Sequence, residues 1–461
     1  MKIQFVFGRH EVGQNLQDRY VPPLGLLSLS TFACKHIPEL NSLILDANHP
    51  DFKKDEDLLA FIDAPIVGIS AWFSNYSNSR RLAAEIKKRN PNTKIIMGGP
   101  TPTPFAERIL QNNDFIDYVV KGDGEAAIVS ILKGEDLHQI NGLAFRDSKG
   151  QIKTNRADYS LSLDAIPPPN LAHLHKPYIW KNASNISGHS FFPISRFRGC
   201  FKKLRCEYCS IPIIDSRQSS PDSFWKEIAS LREQSGTDHF FETADIFPLK
   251  IAASLAEAKP QNLQDIRLRC YSYPGMISRE KKVAEALKEL GIVEVFIGVE
   301  SIHYFYGSGF NGSQGNRGLP KGYSTVDLIS EIEYLAENNI RVMPSFVLGL
   351  KGESTERLIE NIKFALKLAE MKSVEEMSLN IVIPLPESDI FKSCIADENI
   401  RNNYNQLTGG DIQKDDDINY VALSKAYINQ YCSVSHQQIA REVRKFIKKA
   451  EGKCRIAHWG L

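Results

Sequence analysis

Short apolar runs alternate with amphipathic stretches along most of this chain. In the first 150 residues the runs KIQFVFG, SLILDAN, PIVGISA, KIIMGGP and DYVVKGD give way to Gly, Asp, Asn or Ser, as strands do where they feed loops. Between them GLLSLSTFACKH, NSRRLAAEIKKRN and TPFAERILQNN carry helical spacing. The alternation predicts a parallel sheet with helices on both faces and a small-molecule site beyond the C-terminal strand ends. Those ends carry Gly8–His10, Ser70–Trp72, Gly98–Thr101 and Lys121–Glu125.

Residues 151–190, with SLDAIPPPNLAHLHKPYIW, hold three successive prolines and few periodic apolar positions, which predicts an ordered linker. From 191 to 400 a second series follows. Its strands are FFPISRFRG, HFFETADIF, IRLRCYSY, VEVFIGVES, RVMPSFVLGL and EMSLNIVIP, separated by segments such as SFWKEIASLREQ and ERLIENIKFALKLAE. Six successive βα units predict a closed or partly closed barrel whose functional residues sit at the C-terminal strand ends. Residues 401–461 turn polar and then helical in QQIAREVRKFIKKAEG, a mostly helical extension.

Composition changes this picture little. At 461 residues the chain has room for roughly two or three domains. It is 42% apolar and 24% charged with a net charge of +1, so nothing pulls it as a whole toward nucleic acid or an anionic membrane. No apolar run reaches the roughly 18 residues of a membrane span, and the N-terminus lacks a secretory pattern. A cytoplasmic location is expected, where a disulfide framework would not persist.

The cysteines sharpen the chemistry. Three of the eight lie in RGCFKKLRCEYCS, as Cys200, Cys206 and Cys209, while Cys34, Cys270, Cys394, Cys432 and Cys454 are scattered. Structural zinc takes four ligands, often as two separated pairs, and no second pair is present. Three closely spaced cysteines suit a [4Fe–4S] cluster with one open iron, with zinc as the alternative. FKKLR reads as a solvated turn rather than a nucleic-acid contact.

The chain resembles the radical S-adenosylmethionine (SAM) enzymes, in particular the subgroup with an N-terminal cobalamin-binding domain. The family spacing is usually Cys-x3-Cys-x2-Cys. Here FKKLR widens the first gap to five residues, which extended backbone spans at about 20 Å, enough for the sulfurs to converge. The resemblance implies a cluster on Cys200, Cys206 and Cys209 with SAM on the fourth iron, and it puts Tyr208 against the adenine. By the same resemblance FFETADIF offers Glu242, Thr243 and Asp245 to SAM, and FIGVES offers Glu300 and Ser301. SFVLGLKGES, with Gly349 and Glu353, is similar to the family's Gly-Leu-Pro-Gly-Glu segment, with Lys351 in place of proline. Arg269 is a further candidate SAM contact at the barrel mouth, where Tyr271 and Tyr273 are also expected.

The fold implied is a Rossmann-like cobalamin domain (1–150), the linker, a partial (β/α)6 barrel (191–400) and the C-terminal extension. Cobalamin-site candidates are His10, Ser70, Trp72, Gly98, Gly99, Thr101, Gly122 and Glu125. GRHEVGQN is similar to the Asp-x-His-x-x-Gly loop of cobalamin domains, but Gly8 stands in place of the aspartate, and a ligating imidazole usually needs such a carboxylate behind it. His10 is therefore expected to be a polar loop residue more than a cobalt ligand.

The resemblance implies an enzyme, most often a C-methyltransferase, that uses a [4Fe–4S] cluster, SAM and cobalamin. One SAM would be cleaved to a 5′-deoxyadenosyl radical, and methylcobalamin would deliver the methyl group to a small-molecule substrate. A reductant such as flavodoxin or ferredoxin is the expected partner, with no nucleic acid or membrane. The alternatives are radical cyclisation or rearrangement without methyl transfer, and a non-catalytic cobalamin- or metal-binding protein. No motif names the substrate or a catalytic side chain.

Overall fold

The computed structural model describes residues 1–10, 22–177, 191–200, 206–211, 215–277, 282–303, 319 and 322–459. FKKLR, Gly13 and the end of the linker lie outside them. The chain forms two compact units: Met1–Trp180 with Lys226–Gly236 and Gln413–Ile418, and the remainder from Lys181 onward.

In the first unit all five expected strands form: β1 (Lys2–Phe7), β2 (Asn41–Asp46), β3 (Ile66–Ser70), β4 (Lys94–Gly98) and β5 (Tyr118–Val120). They pair in parallel in the order β2-β1-β3-β4-β5. The interior strands are buried on both faces, Ile3 and Phe5 on one and Val6, Val67 and Ile69 among the other core positions, which is why they read as unbroken apolar runs. The antiparallel strands β6 (Leu143–Arg146) and β7 (Ile152–Thr154) extend the sheet beyond β5, turning at Gly150. The proline-rich stretch then lies on this unit, with Leu163 and Ile166 in its core. Residues 413–418 are fastened here too: the Tyr76 hydroxyl donates to Asp416 at 2.5 Å and Ser77 to Asp417 at 2.6 Å.

The second unit starts at β8 (Phe192–Ile194), followed by an antiparallel ribbon of β9 (Phe197–Arg198) and β10 (Arg217–Gln218). Then come β11 (His239–Glu242), β12 (Arg267–Ser272), β13 (Ile292–Glu300), β14 (Arg341–Leu348), β15 (Glu376–Ile381) and β16 (Arg455–Trp459). These form a seven-stranded parallel sheet, β16-β15-β14-β13-β12-β11-β8, open at β8 and β16. It is the expected partial barrel of six βα units, enlarged by a strand. The extension is helical, as expected, until RIAHW pairs with β15 and covers an edge that would otherwise expose unpaired backbone groups.

FFPISRFRG does not form one strand. The Arg196 N–H leaves the ladder for the Glu242 carboxylate at 3.1 Å, and the chain turns from β8 into the ribbon that carries the cysteine loop. Helix starts follow their local chemistry: the Ser354 and Ser388 hydroxyls accept from the amides of Arg357 and Phe391.

Candidate active site

The ribbon delivers Gly199, in the left-handed region at φ 90°, and then Cys200, just beyond β9. Cys206 and Cys209 close a turn in which the Cys209 N–H donates to the Cys206 carbonyl at 3.0 Å. The Ile211 N–H points at Cys209 Sγ at 3.5 Å, as amides commonly do toward a thiolate. None of the three cysteines is in a disulfide, and all are half-buried. Among the described residues no three Cys, His, Asp or Glu side chains are already gathered to hold a metal ion. As a donor set, three half-buried thiols on one strand-end loop fit a cluster that keeps one iron open. The loop is held at Glu207, whose carbonyl accepts from the Ile390 N–H at 3.0 Å. The Tyr208 hydroxyl is buried beside Cys206 and Glu300, and burial first, then these two neighbours, pushes its pKa well up.

The strand-end polar residues divide into two sets. Glu242 is 1% exposed, and its carboxylate accepts from the backbone amides of Arg196 and Ala244, both at 3.1 Å. It ties the ends of β8 and β11 together. Thr243 donates to the Ile194 carbonyl at 2.9 Å, and Asp245 follows half-buried. Glu300 ends β13 at φ +63°, a conformation non-glycine residues rarely adopt, just after a break in register at Gly298. A Cβ on Gly298 would lie 2.6 Å from the Glu300 carboxylate, so the missing side chain makes room for it.

Ser301, Glu353 and Asn361 form a buried polar cluster, none more than 1% exposed. Asn361 Nδ2 donates to Ser301 Oγ at 3.2 Å and to Glu353 Oε1 at 3.4 Å, and its carbonyl accepts the Ile302 N–H at 2.9 Å. The second Glu353 oxygen accepts the Gly349 N–H at 3.1 Å. Gly349 itself sits at φ 86°, with Ile428 2.9 Å from where a Cβ would be. Burial pushes Glu353 up to about 7. Arg269 points toward the strand starts rather than the mouth. It is buried, ion-paired with Glu294 and stacked on Phe191 at 4.6 Å.

In the first unit the strand order reverses between β1 and β3, the crevice where open α/β sheets bind ligands. His10 stands there with Nδ1 2.9 Å from Ser74 Oγ and its backbone N–H donating to Asn48 at 2.9 Å. Burial lowers its pKa, which favours the neutral ring. The Gly8 carbonyl accepts from the side-chain amides of Asn48 and Asn75 at 3.1 and 3.0 Å. A Cβ on Gly8 would fall 2.1 Å from Ser79 Oγ, so an aspartate there would require Ser79 to shift. Ser70 ends β3 and Trp72 follows, 48% exposed. Gly99 and Gly122 are needed by the chain's own backbone, since their Cβ atoms would lie 2.7 Å from the Ala71 carbonyl and 2.4 Å from that of Asp158. Gly98 closes β4, and Thr101 is buried just after it. Glu125 turns inward and accepts from Ser28 at 2.6 Å. A half-buried imidazole and an exposed indole at a switch point fit a large planar cofactor, whereas the glycines and Glu125 have structural partners of their own.

Comparison with known proteins matches residues 18–132 to the B12 binding domain and residues 194–365 to the Radical SAM superfamily. The chain is a cobalamin-binding radical SAM enzyme. An uncharacterised methyltransferase of Pyrococcus horikoshii is 26% identical over 391 residues, 81% of this chain and 79% of the relative. The anaerobic magnesium-protoporphyrin IX monomethyl ester cyclase of Synechocystis is 24% identical over 375 residues, 76% and 69%. In fold, the enzyme is similar to the radical SAM methyltransferase TsrM of Kitasatospora setae, with TM-score 0.62 and 18% identity over 85% of this chain and 75% of that one. It is also similar to the cobalamin-dependent radical enzyme OxsB, with TM-score 0.59 and 16% identity over 98% and 61%.

Several residues that frame the radical SAM enzyme's two candidate sites were not singled out in the sequence. Asn361 had a signal, a polar residue on the apolar stripe of a helix that also buries Leu358, Ile362 and Leu368. Glu331 accepts from the amides of Gly275 and Ile277 at 2.8 and 3.0 Å and fixes the loop after β12. Ser74, Asn48 and Asn75 had no signal, because nothing local marks which loop polar groups meet across a sheet.

Proposed function

We propose that this cobalamin-binding radical SAM enzyme is a C-methyltransferase acting on an unactivated carbon of a small molecule. The observation that carries the reading is the pairing of a B12 binding domain with a radical SAM barrel in a chain whose relative over 81% of its length is named a methyltransferase. When bound, the cluster supplies the electron that cleaves SAM and the corrinoid supplies the methyl group; the protein's part is placement. Cys200, Cys206 and Cys209 hold the cluster. Tyr208, Thr243, Asp245, Glu300 and Ser301 surround SAM, and His10, Ser70 and Trp72 border the corrinoid. Glu242, Gly349 and Glu353 act through the backbone they fix. Electrons come from a flavodoxin or ferredoxin.

A second reading, radical cyclisation, is favoured by the relatives named as cyclases. The test is anaerobic reconstitution with iron, sulfide and cobalamin, then SAM and titanium(III) citrate without substrate. A methyltransferase releases S-adenosylhomocysteine as the corrinoid is methylated. Release of 5′-deoxyadenosine with no S-adenosylhomocysteine rejects methyl transfer and leaves the cyclase reading.

A further inference from the structure

The second unit's sheet presents two faces of different character. Phe240, Leu268, Cys270, Val295, Ile297 and Val299 are at most 1% exposed and face the covering helices. The alternate positions Phe241, Tyr271 and Phe296 are half-buried and line the concave inner face. Their rings form an edge-to-face ladder across three strands, with centroids 5.0 Å apart from Phe241 to Tyr271 and 4.8 Å from Tyr271 to Phe296. Gly298 follows Phe296 on the same face, so no side chain of its own covers that ring, and the Glu300 carboxylate lies just beyond.

The charged groups deeper on this face are already matched. Arg269 pairs with Glu294, and Arg341 reaches Glu294 at 3.4 Å and Glu375 at 3.7 Å. Nearer the strand ends, beside the Glu300 carboxylate, stand the neutral groups Ser345, Ser378 and Asn380, with Asn380 Nδ2 donating to Ser378 Oγ at 2.8 Å. A surface of aromatic ring faces and edges with a few neutral hydrogen-bonding groups suits a flat apolar ligand, and the Arg269 and Arg341 guanidiniums on it are already ion-paired.

We propose that this inner face is the substrate wall and that it takes a flat, uncharged aromatic ring system, packed on Tyr271 and Phe296 with its polar edge toward Asn380 and Ser378. The assignment rests on the radical SAM reading, which makes the barrel interior the reaction chamber.

The test uses the full-length, anaerobically reconstituted enzyme in equilibrium dialysis with 2-naphthol as the aromatic probe and ribose 5-phosphate as the anionic one. Wild type should bind 2-naphthol saturably and ribose 5-phosphate not at all. Tyr271→Ala and Phe296→Ala should each weaken 2-naphthol by about tenfold, while Tyr271→Phe stays within about threefold. Circular dichroism verifies the fold of each variant. Absence of saturable 2-naphthol binding, binding unaffected by both alanine variants, or preference for ribose 5-phosphate overturns the proposal. So does an equal loss of SAM affinity in the alanine variants, which would assign the wall to the cofactor's adenine. The radical reading is read separately, as 5′-deoxyadenosine formed from SAM and dithionite without any probe.

Discussion

Asn361, in the middle of a helix, donates its side-chain amide to the hydroxyl of Ser301 at the end of β13, 3.2 Å away and out of contact with water. Through Glu353 the same amide reaches the Gly349 turn after β14, so one side chain holds two strand ends where SAM contacts are expected. Asn361→Ala strands Ser301 and Glu353 without their partner and should cost roughly 1–3 kcal/mol in urea unfolding. It should also raise the dialysis Kd for SAM more than it lowers the rate of 5′-deoxyadenosine formation at saturating SAM.

Glu353 makes stability pH-dependent. Its carboxyl is raised from 4.5 to about 7 by burial, so the folded chain keeps this proton over a range where the unfolded chain has lost it. The contribution is therefore full below the ordinary carboxylate range and is lost as pH rises toward about 7, by on the order of 3 kcal/mol at most. Glu353→Gln should flatten that part of the profile when melting temperatures of variant and wild type are compared from pH 5 to 8. A variant profile parallel to wild type would assign the dependence elsewhere.

Arg269 and Glu294 test the distinction between barrel floor and mouth. Removing the carboxylate in Glu294→Ala leaves a buried guanidinium unpaired and should cost about 3–5 kcal/mol. Because the pair points toward the strand starts, SAM affinity of the folded variant should stay within about twofold of wild type by dialysis. A larger loss would return Arg269 to the cofactor site.

Gly8 tests why the aspartate of other cobalamin domains is missing. With Ser79 Oγ 2.1 Å from the added Cβ, Gly8→Ala should destabilise by about 1–3 kcal/mol, and Ser79→Ala in the same chain should restore part of it. Urea denaturation of the single and double variants reads the coupling. Additive effects would mean that the crowding is relieved elsewhere.

The parts legible in the sequence are those set by local pattern. Alternating runs gave all five parallel strands of the first unit and the six βα strands of the second, because a strand buried on both faces must be apolar throughout and a covering helix must carry a stripe. The cysteine spacing marked the candidate cluster loop for a similar reason, since its thiols are close in sequence. RIAHW was not read as a strand, because an edge strand takes its identity from the neighbour it pairs with.

By itself the sequence determined two α/β units, the order of their elements and the loop that carries three thiols. The tertiary structure decided what each polar residue does. Glu242 and Glu125 were named as ligand contacts, yet they accept hydrogen bonds from Arg196 and Ala244 and from Ser28. Asn361 went unnamed, yet it joins residues 60 and 8 positions away. A carboxylate's character depends on its burial and on which donors reach it, and those donors come from strands and helices distant in sequence that only the packed fold brings within 3 Å or so.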